Sequence, residues 1–166
     1  MEQTVVYKLE TPKDIYIKHI QKTDIIPIYD VLNREGCPKT ENRFSTEDFC
    51  IDLDAIQRRA AQRNKTSPHA SADFLICVEK NKVLFADAKF RCKNVKNIDK
   101  KELLDKRKES KAMITDGDYH IQNEFYLIFK SSVLKGTERN YLKRIVDNTP
   151  STRFLTAIEF AKLFDR

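Results

Sequence analysis

The stretch Asp73-Phe74-Leu75-Ile76-Cys77-Val78-Glu79-Lys80-Asn81-Lys82-Val83-Leu84-Phe85-Ala86-Asp87-Ala88-Lys89-Phe90 decides how the rest of the chain is read. Two apolar runs flank the polar cluster Glu79-Lys80-Asn81-Lys82, which is the pattern of a β-hairpin. Both faces of each run are largely apolar, so the strands are expected to be covered on both sides. Charge interrupts this pattern in three places: Asp73 opens the first run, and Asp87 and Lys89 lie inside the second. Charged groups in an otherwise buried strand are costly unless something compensates them.

Strand parity relates the three. With Lys80-Asn81-Lys82 as the turn, Leu75 opposes Asp87 and Asp73 opposes Lys89, and side chains repeat every second residue. Asp73, Asp87 and Lys89 then share one face at one end of the hairpin. A two-residue turn would place Asp73 on the other face. Asn81 tolerates the left-handed conformation that a three-residue loop requires.

Upstream, Ser45-Thr46-Glu47-Asp48 reads as the start of a helix that carries Phe49, Leu53, Ile56 and Ala60 down to about Asn64, although Phe49, Ile51 and Leu53 also alternate as in a strand. Thr4 to Leu9 and Asp14 to Ile20 alternate like strands, Pro27 interrupts the next apolar stretch, and Gly36 to Asn42 reads as a loop. Downstream, Asp99 caps a helix from Lys100 to about Ile114, with Glu102 placed to reach back and Ile98 and Leu103 as a hydrophobic staple. Phe125 to Lys130 is expected as a strand, Thr137 as the cap of a helix bearing Tyr141, Leu142, Ile145 and Val146, and Phe154-Leu155 as a short strand. Thr156 and Glu159 form a capping box for a last helix through Phe164. This order predicts an α/β fold with a mixed central sheet, an antiparallel hairpin followed by helical crossovers, and helices on both faces.

At 166 residues the chain is expected to form a single domain. It has no apolar run long enough to span a membrane and no export signal pattern, so a soluble, cytoplasmic protein is expected. Cys37, Cys50, Cys77 and Cys92 are scattered without a paired spacing and are expected as reduced thiols. The net charge of +6 is concentrated: between Lys89 and Lys111 stand ten basic residues against four acidic ones, which accounts for the whole excess. Arg91, Lys93, Lys106, Arg107, Lys108 and Lys111 are therefore candidate contacts for a polyanion, against the plainer reading of a solvated helix face. His19, His69 and His120 form no ligand-like cluster, and the chain has no Gly-rich phosphate loop and no nucleophile elbow.

Two carboxylates on neighbouring strands with a lysine beside them can hold a hard divalent cation and position water at a phosphate. Ser71-Ala72-Asp73 followed by Asp87-Ala88-Lys89 resembles the motif of the PD-(D/E)XK nuclease superfamily, and the flanking order of helix, hairpin, helix and strand is similar to that family's core. The resemblance covers residues 45–130, with 1–44 as an extension expected to add strands to the sheet. It implies a restriction-endonuclease-like core, Asp73 and Asp87 as ligands of Mg²⁺ or Mn²⁺, Lys89 as the residue that positions or activates water, and nucleic acid, DNA foremost, as substrate. Ala72 replaces the name-giving proline. The family's extra strand before the Asp strand has little room between Lys65 and Ser71, so either an N-terminal strand fills that place or Phe49 to Leu53 is a strand. A further carboxylate ligand could be Glu47 or Asp52.

Three functions compete: a metal-dependent nuclease acting alone, as a homodimer or in a larger complex; an inactive nuclease-like fold serving as a protein-interaction module; and a basic nucleic-acid-binding domain. An inhibitor of a nuclease would more naturally be acidic than +6. The internal salt bridge of Lys89 with Asp73 or Asp87 is the non-catalytic explanation of the same residues.

Overall fold

The computed structural model describes residues 6–13, 15–68, 70–115, 118–146 and 151–166. In chain order the elements are β1 (Leu9–Glu10), β2 (Ile25–Pro27), α1 (Ile28–Arg34), β3 (Phe49–Asp52), α2 (Leu53–Asn64), β4 (Phe74–Val78), β5 (Lys82–Ala88), α3 (Lys100–Met113), β6 (His120–Phe129), α4 (Gly136–Ile145), β7 (Thr152–Thr156) and α5 (Ala157–Lys162).

Among the described residues seven strands form one mixed sheet, six of them in the order β2-β3-β4-β5-β6-β7 and β1 paired to β4 off that path. The strands from β2 to β5 pair antiparallel, and β6 and β7 return parallel to β5 after α3 and α4. Strand β3 pairs with the start of β4 and β1 with its end, and the sheet strands that lie within residues 1–44 are β1 and β2. Leu75, Phe85, Phe125 and Leu127 face Leu53 and Ile56 of α2, Leu103 and Met113 of α3 and Leu142 of α4. On the other face Phe74, Ile76, Leu84 and Tyr126 pack with Ile28, Val31 and Leu32 of α1 and with Ala157, Phe160 and Ala161 of α5. Phe160 meets the rings of Phe44, Phe74, Tyr126 and Phe164, and each fully buried ring of this kind stabilises the fold by about 1.5–3 kcal/mol. No helix of the described residues is long and apolar enough to cross a membrane.

Several expectations are corrected. The element starting at Ser45 is not a helix: Ser45 and Asp48 close a turn, Phe49–Asp52 is a strand, and the helix begins only at Leu53. Cys50 is buried on one face of the sheet and Ile51 on the other, which a strand between β2 and β4 permits. Asp52, not Ser45, caps α2 by accepting from the Ala55 amide. Among the described residues, the Asp14 to Ile20 alternation makes only an isolated bridge between Ile17 and Ile114, and in Thr4 to Leu9 only Leu9 enters a strand; Thr4, Val5 and Asp14 lie outside the described residues.

Helix α1 follows directly on β2: Pro27, the last residue of that strand, is also the helix N-cap, so the proline marks a junction and not an interruption. Its end is a Schellman closure in which the Cys37 amide donates to the Leu32 carbonyl and the Gly36 amide to that of Asn33, with Gly36 at φ +95°. Helix α4 starts at Gly136 with Lys135 at its N-cap, two residues earlier than a Thr137 cap requires. The Asp99 cap of α3 and the Thr156–Glu159 box of α5 form as expected. Helix α5 itself ends at Lys162.

Candidate functional site

The hairpin turn is Glu79-Lys80-Asn81, with both Lys80 and Asn81 at positive φ, so Val78 pairs with Lys82 and Phe74 with Ala86. The register is thus shifted by two residues from the expected one. A shift of two preserves parity, so the face of every side chain is unchanged. Asp73, at the rung beyond Phe74, comes opposite Asp87. Its Oδ2 accepts from the Ala88 amide at 2.7 Å, so a side chain extends the ladder where the backbone pairing ends.

The Ser71-Ala72-Asp73 corner is anchored to α3. The buried Ser110 hydroxyl accepts from the Ala72 amide at 2.7 Å and donates to the Lys106 carbonyl at 2.6 Å. One residue thereby fixes both the approach to Asp73 and the turn of α3 that carries Lys106.

Asp87 is fully buried. Its Oδ2 meets Lys89 Nζ at 2.9 Å and Lys106 Nζ at 3.0 Å, whereas its Oδ1 is buried with no hydrogen-bond partner. Burial acts to lower the Lys106 pKa, but Asp87 and then Asp73 outweigh it and hold this ammonium firmly protonated. Burial, and after it the Asp87 carboxylate, push the Asp73 acid up to about 8, against the Ala88 amide. Glu102 lies 3.5 Å from Lys106 and 4.0 Å from Lys89. Those two cations draw it along α3 instead of back to the helix start, where it was expected.

Asp73, Asp87 and Lys89 therefore gather at one end of the hairpin. The further carboxylate does not come from Glu47, which is exposed in the turn before β3, and Asp52 is committed to Arg34 at 2.6 and 3.2 Å while capping α2. After Asp87, the further carboxylate whose charge acts on Asp73 is Glu35, at the end of α1, as a smaller influence. Sequence reading missed it because α1 was missed. The signal was Pro27 before Ile28, Val31 and Leu32 at helical spacing, with Gly36 as the stop.

The expected basic surface divides. Lys106 is turned inward to Asp87, and Arg107 donates to the Asn123 carbonyl, so neither is a free surface cation. Lys108 and Lys111 are exposed on α3, while Arg91 and Lys93 lie in the loop after β5. His69 lies outside the described residues.

Among the described residues no set of three or more His, Cys, Asp and Glu side chains gathers as a metal-ligating group. Two carboxylates, one with an unpartnered buried oxygen, nonetheless fit a small hard cation that keeps much of its water. Compared with family models, with curated proteins and with solved structures, the chain matches none.

Proposed function

We propose that this protein is a metal-dependent nuclease with a restriction-endonuclease-like core, in which Asp73 and Asp87 hold Mg²⁺ or Mn²⁺ beside Lys89. One observation carries the reading: Asp87 Oδ1 is buried without a partner, opposite a second carboxyl group. A buried acceptor left unsatisfied costs about 1–3 kcal/mol and is rare in native proteins. The order α1, β3, α2, β4, β5, α3, β6 supports it, since β3 is a strand between helix α1 and the Asp73 strand, which residues 65–71 had no room for.

A bound divalent cation would supply charge against that building on the phosphate and would acidify water. Asp73 contributes to this once deprotonated. Lys89 presents an ammonium beside Asp87 where it can meet a non-bridging phosphate oxygen or hold the attacking water. Lys106 fixes Asp87 from α3, and the apolar side chains around the strand ends keep the pair in a dry setting, where charge acts more strongly.

A second reading has its own observation. Two ammonium groups already neutralise Asp87 Oδ2, as in an inactive relative that serves as a protein- or nucleic-acid-binding module. Cleavage of plasmid and single-stranded DNA in Mg²⁺ and in Mn²⁺, beside calorimetric titration of each metal, separates the two. The nuclease reading expects cleavage and metal binding, both lost in Asp87→Ala. A folded wild-type protein that neither binds metal nor cuts leaves the binding module.

A further inference from the structure

The parallel strands β5 and β6 end on the same side of the sheet, and the segments that follow them enclose a surface cleft of about 430 Å³. Phe90 and Val133 give it apolar walls. Arg91 and Lys93 enter from the loop after β5, and Lys130 and Ser132 from the turn after β6. Clefts beyond the carboxyl ends of parallel strands are where ligands of open α/β sheets bind.

The charge in this cleft differs from that on α3. Lys89 and Lys106 are both neutralised by carboxylates, but among the described residues Arg91, Lys93 and Lys130 form no ion pair. Arg91 is held by its own chain: Nη2 donates to the Arg34 carbonyl at 3.0 Å, and its side chain passes over Gly36. The Glu41 carboxylate accepts from the Ser131 amide at 2.8 Å and thereby holds the turn that presents Lys130 and Ser132. Three cations without an ion pair and a hydroxyl around one cavity match the charge and the acceptor oxygens of a phosphate group. Arg91 follows Asp87 by four residues, so the cleft opens within about 14 Å of the carboxylate pair along the chain, a few nucleotide rises at about 3.4 Å each.

We infer that Arg91, Lys93, Lys130 and Ser132 form a phosphate subsite for the backbone of a nucleic acid strand that runs on to Asp73 and Asp87. The inference rests on the nuclease reading for the continuation of the strand to the carboxylates. It assigns backbone contact to the β5 and β6 loops rather than to α3, and it brings in Lys130 and Ser132, which lie outside the basic segment.

The test measures binding of a fluorescein-labelled duplex DNA in EDTA by anisotropy, between about 50 and 200 mM salt. The variant Arg91→Ala/Lys93→Ala/Lys130→Ala is compared with Lys101→Ala/Lys108→Ala/Lys111→Ala, which removes the same charge from α3. The cleft variant is expected to lose at least about tenfold in affinity at low salt and to flatten the log–log salt slope by about 2 to 3, from a slope of about 0.9 per phosphate contact. The α3 variant should change the slope by less than half as much. Should the triple variant unfold, Lys93→Gln/Lys130→Gln is read the same way with a proportionately smaller change, and Lys93→Arg/Lys130→Arg should restore binding.

Equal slopes for the cleft variant and wild type, an equal or larger loss in the α3 variant, or no binding by wild type at low salt overturns the subsite. Cleavage in Mg²⁺ runs in parallel. An unaltered cleft variant in a protein that cuts sinks the subsite alone, whereas a cleft-dependent binder that never cuts sinks catalysis and keeps the subsite.

Discussion

The ammonium groups of Lys89 and Lys106 converge on a single atom, Oδ2 of the fully buried Asp87, at 2.9 and 3.0 Å. One comes from the loop beyond β5 and the other from the second turn of α3, so the same carboxylate ties strand to helix. A buried charge stripped of its partner costs about 3–5 kcal/mol, but here either lysine leaves the other in place. Lys89→Ala and Lys106→Ala are each expected to destabilise the metal-free protein by about 1–2 kcal/mol, and the double variant by clearly more than their sum. Urea unfolding of the four proteins in EDTA checks this.

The two lysines should part company in a cleavage assay. Lys89→Ala is expected to lower turnover by at least about 100-fold while metal and DNA binding stay nearly intact, because its charge matters most in the transition state. Lys89→Arg should recover only part of the rate. Parallel falls of turnover and metal affinity would reassign Lys89 to holding Asp87.

Asp73 makes stability depend on pH in an unusual direction for a carboxyl group. Its acid, ordinarily near 3.8, is pushed up to about 8 by burial first and then by Asp87. Between these values the folded protein holds a proton that the unfolded chain has released, so the Asp73 contribution falls as pH rises from about 4 to about 8. Asp73→Asn, measured by unfolding in EDTA across that range, should flatten the decline and be the more stable protein at pH 8. A wild-type curve indistinguishable from the variant's would show that Asp73 is ionised throughout.

Ser110 has no apolar substitute. Ser110→Ala leaves the Ala72 amide without its acceptor in a buried place and should cost about 1–3 kcal/mol in denaturant unfolding. Cys at the same position, with a weaker and longer donor, should recover little.

Gly36→Ala probes the end of α1. The nearest atoms to an added Cβ are at 3.6 Å, so space is not the obstacle, but the residue sits at φ +95°. A loss of about 1 kcal/mol or more is expected from backbone strain alone, read as a lower unfolding midpoint.

Patterns that repeat over a few residues were legible in the sequence. The hairpin, the common face of Asp73, Asp87 and Lys89, the Asp99 cap and the Thr156–Glu159 box all follow from such local rules. The shared face survived a register error because strand side chains have period two and the shift was two residues. Choices among local options were left to tertiary contacts. Phe49–Asp52 alternates as well as it turns, and pairing with β2 and β4 made it a strand. Long-range charge was likewise invisible. In residues 100–113 the spacing from Leu103 and Met113 sets Lys106 on the inner face of the helix, but nothing there names Asp87 as its partner. Nothing near Gly36 announces that Glu35 is felt by Asp73, or that Lys130 shares a cleft with Arg91 and Lys93. These meetings join segments tens of residues apart. They depend on how β5 and β6 lie parallel and how α3 crosses between them, geometry that exists only once the whole sheet has assembled.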